Sequence, residues 1–298
     1  MDHPRLAGNG GRGVTPLGAG RTLRRWAAAL PLAAALLAPA AVPAAPLDTV
    51  VERGVLRIAV YRDFPPFSDE VEGRLVGVDV ELGRRIAEGL GVKPDIFLLS
   101  ADETLSDDLR NAVWKGPRLG GAVADLMLHV PYDREFQKLE ELSVLFGAYY
   151  QEELVVARRQ APATLAHLAG ERIGVETDAI ADLYLGFAFG GALRQGLVHF
   201  MTYREMAAAL FAGDLDAVMG PRSQVEAALG ERRDRFAIVA PATPGLMKRS
   251  WPLGMAVKQD SRDLAYAVGD IVQGLMADGS LERLFQDHGL TYTPPEGM

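Results

Sequence analysis

The sequence predicts an α/β protein built on parallel-rich sheet, and three consecutive features between Leu56 and Leu99 predict it. Leu56, Ile58 and Val60 alternate with Arg57, Ala59 and Tyr61, the two-residue period of a strand with one face buried more than the other. Val78, Leu82, Ile86 and Leu90 then recur every four residues, the apolar stripe of an amphipathic helix. Asp95 to Leu99 is a second apolar run of strand length. Strand, helix and strand in this order make a βαβ crossover, which joins parallel neighbours.

The joints of this unit carry a resemblance. Asp63-Phe64-Pro65-Pro66-Phe67 halts the first strand, because proline lacks a ladder donor and pushes the residue before it out of the helical region. Glu81 suits the positive end of the helix, and Gly91 with Pro94 marks its stop. Phe64-Pro65-Pro66-Phe67 and Gly77-Val78-Asp79-Val80-Glu81-Leu82 together resemble the opening of the periplasmic solute-binding proteins of the polar amino-acid type, family 3. The resemblance implies a two-lobed type II periplasmic-binding-protein fold, each lobe a parallel-rich sheet flanked by helices, with a hinged cleft between. It also implies a layout: signal peptide 1–44, lobe 1 from 45–148 plus 250–298, and lobe 2 from 149–249.

The rest of the chain is read in order. Leu105, Leu109 and Val113 share a helical face, with Ser106 or Asp107 as N-cap and Gly116-Pro117 as the stop. Pro117 to Val123 is extra Gly-rich sequence, read as a cleft-facing or partner-facing loop, before a strand over Asp125–Val130. Leu142–Phe146 and Leu154–Ala157 read as two strands either side of a crossover at Ala148-Tyr149-Tyr150. Thr164–Gly170 is a short helix and Arg172–Glu176 a strand, after which Thr177-Asp178 caps a helix running to about Arg194. Leu197–Met201 is a strand, Tyr203–Ala212 a helix, Gly213–Met219 a strand, Arg222–Leu229 a helix and Phe236–Val239 a strand. Leu253–Lys258 resembles the segment that returns to lobe 1. Ser261–Met276 and Ser280–His288 are closing helices, and Thr291–Met298 a loose tail.

Composition narrows the function classes. The 298 residues contain no cysteine, which excludes disulfides, thiolate metal sites and cysteine nucleophiles. His3, His129, His167, His199 and His288 show no local metal-ligand spacing, so neither a metal nor a cofactor is expected. Arg21, Arg24 and Arg25 precede an apolar core from Trp26 to Leu37, and Val42-Pro43-Ala44 offers a cleavage point. That apolar run is shorter than the ~20 residues that span a bilayer, so export to the periplasm is expected rather than anchoring. Cleavage takes five basic residues and one acidic residue from a chain of net charge −8, leaving −12. Such a surface repels nucleic acid and anionic membranes, and no later segment is apolar enough to span one.

Parallel α/β sheets bind ligands beyond the carboxyl ends of their strands, so candidate residues lie there. Phe64 and Phe67 are aromatic candidates, Phe64 read as lining the cleft and Phe67 as core beneath the turn. Arg134 falls where the resemblance implies a guanidinium that clamps a ligand carboxylate; a solvated surface arginine is the alternative. His129 and Tyr132 offer hydrogen bonds, though His129 sits in an apolar strand and reads equally as a core histidine. Glu176 and Thr177 stand where the resemblance implies a Gly-Thr turn holding the ligand carboxylate; a helix cap is the alternative. Pro221 stands where amino-acid binders carry an aspartate for the ligand ammonium, and proline supplies neither charge nor donor. No residue is assigned a catalytic role.

A narrower resemblance covers Asp107–Gly116 and Ala124–Asp133, which are similar to binding-protein homologues associated with PQQ-dependent methanol and alcohol dehydrogenases. It implies an accessory of a quinoprotein dehydrogenase or its c-type cytochrome, contacted through Asp102, Glu103, Asp107 and Asp108; on charge alone these read as solvated helix-capping acids. The alternative is a receptor that delivers a small polar non-standard solute to an ABC permease. A third reading is a secreted cyclohexadienyl-type dehydratase with Glu176 as the acid.

Overall fold

The turn and the helix that carry the resemblance fold as one piece. Pro66 O and Phe67 O accept from Val78 N at 3.1 Å and Asp79 N at 2.9 Å, so two backbone donors at the helix start are satisfied by the turn. Gly77 makes this approach possible: its φ is 121°, and a Cβ there would lie 2.3 Å from Phe67 O. The computed structural model describes residues 47–117, 120–162 and 164–296; the expected signal peptide lies outside them.

In chain order the elements of the first part are α1 (Leu47–Arg53), β1 (Val55–Tyr61), a hairpin of β2 (Asp69–Val71) and β3 (Arg74–Val76), α2 (Val78–Gly89), β4 (Lys93–Leu99), α3 (Leu105–Leu109) continued by a π-helical turn (Arg110–Trp114), β5 (Leu126–Pro131) and α4 (Arg134–Leu139). The long β6 (Ser143–Arg158) leads to β7 (Ile173–Glu176), α5 (Ile180–Phe187), β8 (Leu197–Phe200), α6 (Tyr203–Ala212), β9 (Ala217–Pro221), α7 (Arg222–Leu229) and β10 (Ala237–Val239). The chain returns through β11 (Ser250–Lys258) and ends in α8 (Arg262–Ala277) and α9 (Ser280–Asp287).

The strand order is β4-β1-β5-β11-β6-β9-β7-β8, with β10 pairing β6. β1 runs parallel to β4 and β5, and β7 parallel to β8 and β9. Each lobe has apolar packing on both faces of its sheet, which makes it three-layered. In lobe 1, Ile58 and Val60 face the core under α2, α8 and α9, while Ala59 faces the other side with Leu109 and Val113. In lobe 2, Leu154 and Val156 join one core, and Val155 and Ala157 join the other with Met206 and Leu210. The lobes are joined by β6 and β11: Val144 to Tyr150 of β6 lie in the first sheet, and Leu154 to Arg158 pair with β9 in the second. Among the described residues, no helix is long and apolar enough to cross a membrane.

Several expectations are corrected. Leu142–Phe146 and Leu154–Ala157 are ends of one strand of 16 residues, because the crossover between them keeps extended backbone and pairs with β11. Gly213 ends α6 in the left-handed region, so β9 begins only at Ala217. Thr104, not Ser106 or Asp107, caps α3, its hydroxyl oxygen accepting from Asp107 N. The helix after β7 starts later and stops earlier than expected: Thr177-Asp178 does not cap it, and left-handed Phe189 and Gly190 break it after Phe187.

Residues 291–296 are not a loose tail. Thr291 N and Oγ1 donate to the buried Glu226 at 2.7 and 2.9 Å, Thr293 O accepts from Gln151 N at 2.9 Å, and Tyr292 packs on Phe285. Pro117, Gly121 and Ala122 of the inserted loop line a separate cavity with Phe97 and Asn111, not the cleft.

Candidate functional site

The strands of both lobes end on one cleft, which holds two adjoining cavities. The outer one, about 430 Å³, is lined by Asp63 and Phe64 from the turn after β1, by Asp69 at the start of β2, and by Glu176, Tyr203 and Arg204 from lobe 2. The base cavity, about 280 Å³, lies against the crossover strands, with Glu152, Trp251 and Leu253 in its wall and Pro221 on its lobe 2 side. Phe64 and Gln224 line both.

The lobe 1 wall of the base cavity is aromatic. Phe64 lies 6.0 Å from Tyr61 and 4.8 Å from His129, and Phe67 lies 4.2 Å from His129, all edge-on. His129 adopts φ 62°, unusual for a residue with a Cβ, and its ring is tied from behind. Asp79, fully buried in the first turn of α2, makes the tie: its carboxylate lies 3.0 Å from His129 Nδ1 and accepts from Tyr149 Oη at 2.6 Å. Burial and the neighbouring Asp79 charge raise the Tyr149 pKa well above its ordinary value, so the hydroxyl stays a donor.

Glu152 is the buried carboxyl group of the base cavity. It is 3% exposed, and burial pushes its carboxyl up to about 7. Its acceptors are already engaged: Oε2 accepts from the Ser223 hydroxyl, and Oε1 from Glu153 N at 3.0 Å and Ser223 N at 3.4 Å. The nearby Arg222 is committed elsewhere, 2.7 Å from Glu153 and 3.2 Å from Glu226. At the outer cavity, burial raises the Glu176 carboxyl as well.

The expected site residues fall as follows. Phe64, Phe67, His129 and Pro221 meet at the base cavity and Glu176 at the outer one. Phe67 is 1% exposed, packed beneath the turn as well as touching the cavity. His129 is both a held core histidine and a wall of the site. Arg134 is exposed at the start of α4, and neither cavity's lining includes it or Tyr132, which packs beside Val130 and Phe136. Thr177 turns its hydroxyl to Phe200 O at 3.2 Å, tying β7 to β8.

The acidic contact expected at 102–108 is corrected at Asp108. That carboxylate is 5% exposed, accepting from Tyr61 Oη at 2.8 Å and Asp102 N at 2.7 Å, so it ties the end of β1 to the start of α3 instead of standing as a solvated acid. Asp107 bonds to the Thr104 cap, while Asp102 and Glu103 are exposed. Sequence reasoning missed Glu152, Trp251 and Gln224. The signal for Glu152 was the polar triplet Gln151-Glu152-Glu153 interrupting an apolar crossover.

Comparison with known proteins agrees on the fold. No family model matches the chain. It is 25% identical over 246 residues to the L-cystine-binding protein TcyJ of Escherichia coli K12, covering 80% of this chain and 84% of that protein. A segment of 62 residues is 47% identical to the cyclohexadienyl dehydratase of Pseudomonas aeruginosa, covering 20% of this chain and 23% of the enzyme. Among solved structures, an ancestral cationic amino acid solute-binding protein superposes with a TM-score of 0.65 at 18% identity, over 82% of this chain and 99% of that one. The arginine-bound ABC transporter substrate-binding protein AbpA of Streptococcus pneumoniae superposes at 0.55 and 22%, over 81% and 97%. The fold is that of the two-lobed periplasmic solute-binding proteins. The cystine-binding and arginine-bound proteins align over most of the chain, as does a histidine kinase sensor domain similar to periplasmic binding proteins; the dehydratase match is confined to a fifth of it.

Proposed function

We propose that the protein is a periplasmic substrate receptor that captures a small polar, non-standard solute between its lobes and hands it to an ABC permease. One observation carries this reading: both cavities are lined from both lobes, and Phe64 and Gln224 belong to each. A solute seated there touches groups that move apart when the crossover strands flex, so its binding free energy favours the closed form. The names of the aligned solute binders support the same class.

Common α-amino acids are poor candidates. Pro221 offers no charge to an ammonium, and Arg134, the expected carboxylate clamp, is not in the lining of either cavity. Losing a desolvated charge partner costs about 2–5 kcal/mol of binding. The accessory role in a quinoprotein system draws no support from the relatives described above, and the burial of Asp108 removes part of its contact surface.

The 62-residue likeness to a dehydratase favours one second reading, with Glu176 as the acid. The lining weighs against it, since among the described residues Arg204 is the one guanidinium in the lining of a cleft that must hold a dicarboxylic substrate.

The test is mass spectrometry of small molecules released from the purified protein, followed by thermal shift and uptake assays with the compound found. The expected result is one released solute that raises the melting temperature and is taken up more slowly by a deletion strain. Turnover of prephenate or arogenate, abolished in Glu176→Gln, would replace receptor by enzyme. Normal uptake in the deletion strain together with slowed alcohol oxidation would restore the accessory role.

A further inference from the structure

The base cavity combines two properties that are costly apart. It is walled by the rings of Tyr61, Phe64, Phe67, His129 and Trp251, and it holds a carboxylate that is 3% exposed. A buried carboxylate is retained where a cation or a set of hydrogen bonds compensates it. Here the hydrogen bonds come from Ser223 and Glu153 N, and among the described residues no Lys or Arg forms an ion pair with Glu152, so in the empty cavity a proton offsets the charge that a bound cation would otherwise balance. Arg222 balances Glu153 and Glu226 instead. Asp63, Asp69 and Glu176 add carboxyl groups to the outer cavity, against Arg204 alone among the described residues of its lining, so the potential of the cleft favours a cation.

The number of free acceptors narrows the cation further. A primary ammonium carries three N–H donors, each needing a partner when desolvated. Glu152 Oε1 already accepts two hydrogen bonds and Oε2 one, which leaves a single carboxylate acceptor site for three donors, and the walls are otherwise rings, prolines and leucines with one amide, Gln224. An ammonium whose hydrogens are replaced by alkyl groups needs no such partners and is attracted by aromatic surfaces.

We propose that the base cavity is a cage for a quaternary or highly alkylated ammonium cation, with Glu152 as its countercharge and Tyr61, Phe64 and Trp251 as its aromatic walls. This rests on the receptor reading above and names the class of solute for that same cleft.

The test is calorimetric titration of the purified protein, stripped of any carried ligand by unfolding and refolding. Choline and tetramethylammonium are the probes, with arginine, glutamine and glutamate as comparisons. The expected result is saturable binding of at least one alkylated ammonium probe, tighter than that of any of the three amino acids. Glu152→Gln keeps the shape and the Ser223 contact, and is expected to weaken the probe at least about tenfold. Phe64→Leu keeps apolar bulk but removes the ring, and is expected to weaken it by about three- to tenfold. Each variant's melting curve is recorded, so a folding defect is separated from lost binding. Undiminished binding in Glu152→Gln overturns the proposal. A comparison amino acid that binds in a Phe64-dependent way while neither cation binds also overturns it, yet leaves the receptor reading standing. No binding by any compound, with no solute released from the purified protein, sinks both.

Discussion

Asp79→Ala tests whether the aromatic wall is held from behind by a buried polar network. Asp79 is fully buried and receives the Tyr149 hydroxyl at 2.6 Å, with His129 Nδ1 at 3.0 Å. Removing the carboxylate leaves two buried polar groups without their partner, at about 1–3 kcal/mol each. It also releases His129 from the hold that offsets its left-handed backbone, φ 62°. The expected loss is about 3–5 kcal/mol, the range for removing one member of a buried pair. At about 2–4 °C per kcal/mol for a chain of this size, the melting temperature falls by about 6–20 °C. Urea unfolding of wild type, Asp79→Ala, Tyr149→Phe and the double variant measures the coupling directly. The double variant should lose less than the sum of the singles, with an interaction of about 0.5–3 kcal/mol. A loss below about 1 kcal/mol for Asp79→Ala, or strict additivity in the cycle, refutes the network as the support of the site.

Two further outcomes are expected. Glu152 titrates at about 7 in the fold, above its ordinary value of 4.5, so the native state holds a proton that the unfolded chain has lost between those values. Stability of the unliganded protein should therefore fall as pH rises from about 4.5 to 7, by on the order of 3 kcal/mol, and then level. Glu152→Gln should flatten that part of the difference curve measured by urea unfolding; His129, Tyr150, Tyr203, Glu153 and Arg222 surround the group in both proteins, so the difference isolates it. Ending the chain at Leu290 strips Glu226 of both Thr291 donors, and should lower stability by about 2–3 kcal/mol in thermal or urea unfolding. An unchanged midpoint would show the tail to be dispensable.

What was legible in the sequence was what local chemistry controls. The bounds of α2, α6 and α7 follow from apolar period and terminal residues, and the Phe64–Phe67 turn was readable because proline acts on its own neighbours. β6 was misread because its surroundings change along its length: Val144 and Tyr149 pack in one lobe, Leu154 and Val156 in the other, and the polar stretch between them crosses the hinge. The tail was misread because its anchor, Glu226, lies 65 residues away, and a short polar segment carries no mark of a distant partner. Likewise half of the site was visible. Phe64, His129, Glu176 and Pro221 announce themselves at strand ends, whereas Glu152 acquires its meaning from Ser223, 71 residues on.

The place of β11 in the sheet also dictates an order of assembly. It lies between β5 and β6, in the middle of the first lobe, yet it is the last strand in the sequence. A chain made from its N-terminus therefore produces β1, β4, β5 and β6 while the gap they must share is still empty. The whole second lobe is synthesised before residues 250–258 arrive to fill it. Contacts of such long sequence separation close slowly, since the loop entropy is lost before the pairing is gained. Until then the nascent first lobe is a sheet in two halves with unpaired inner edges. The sheet of the first lobe is consequently completed only by residues 250–258, which lie in the last sixth of the chain.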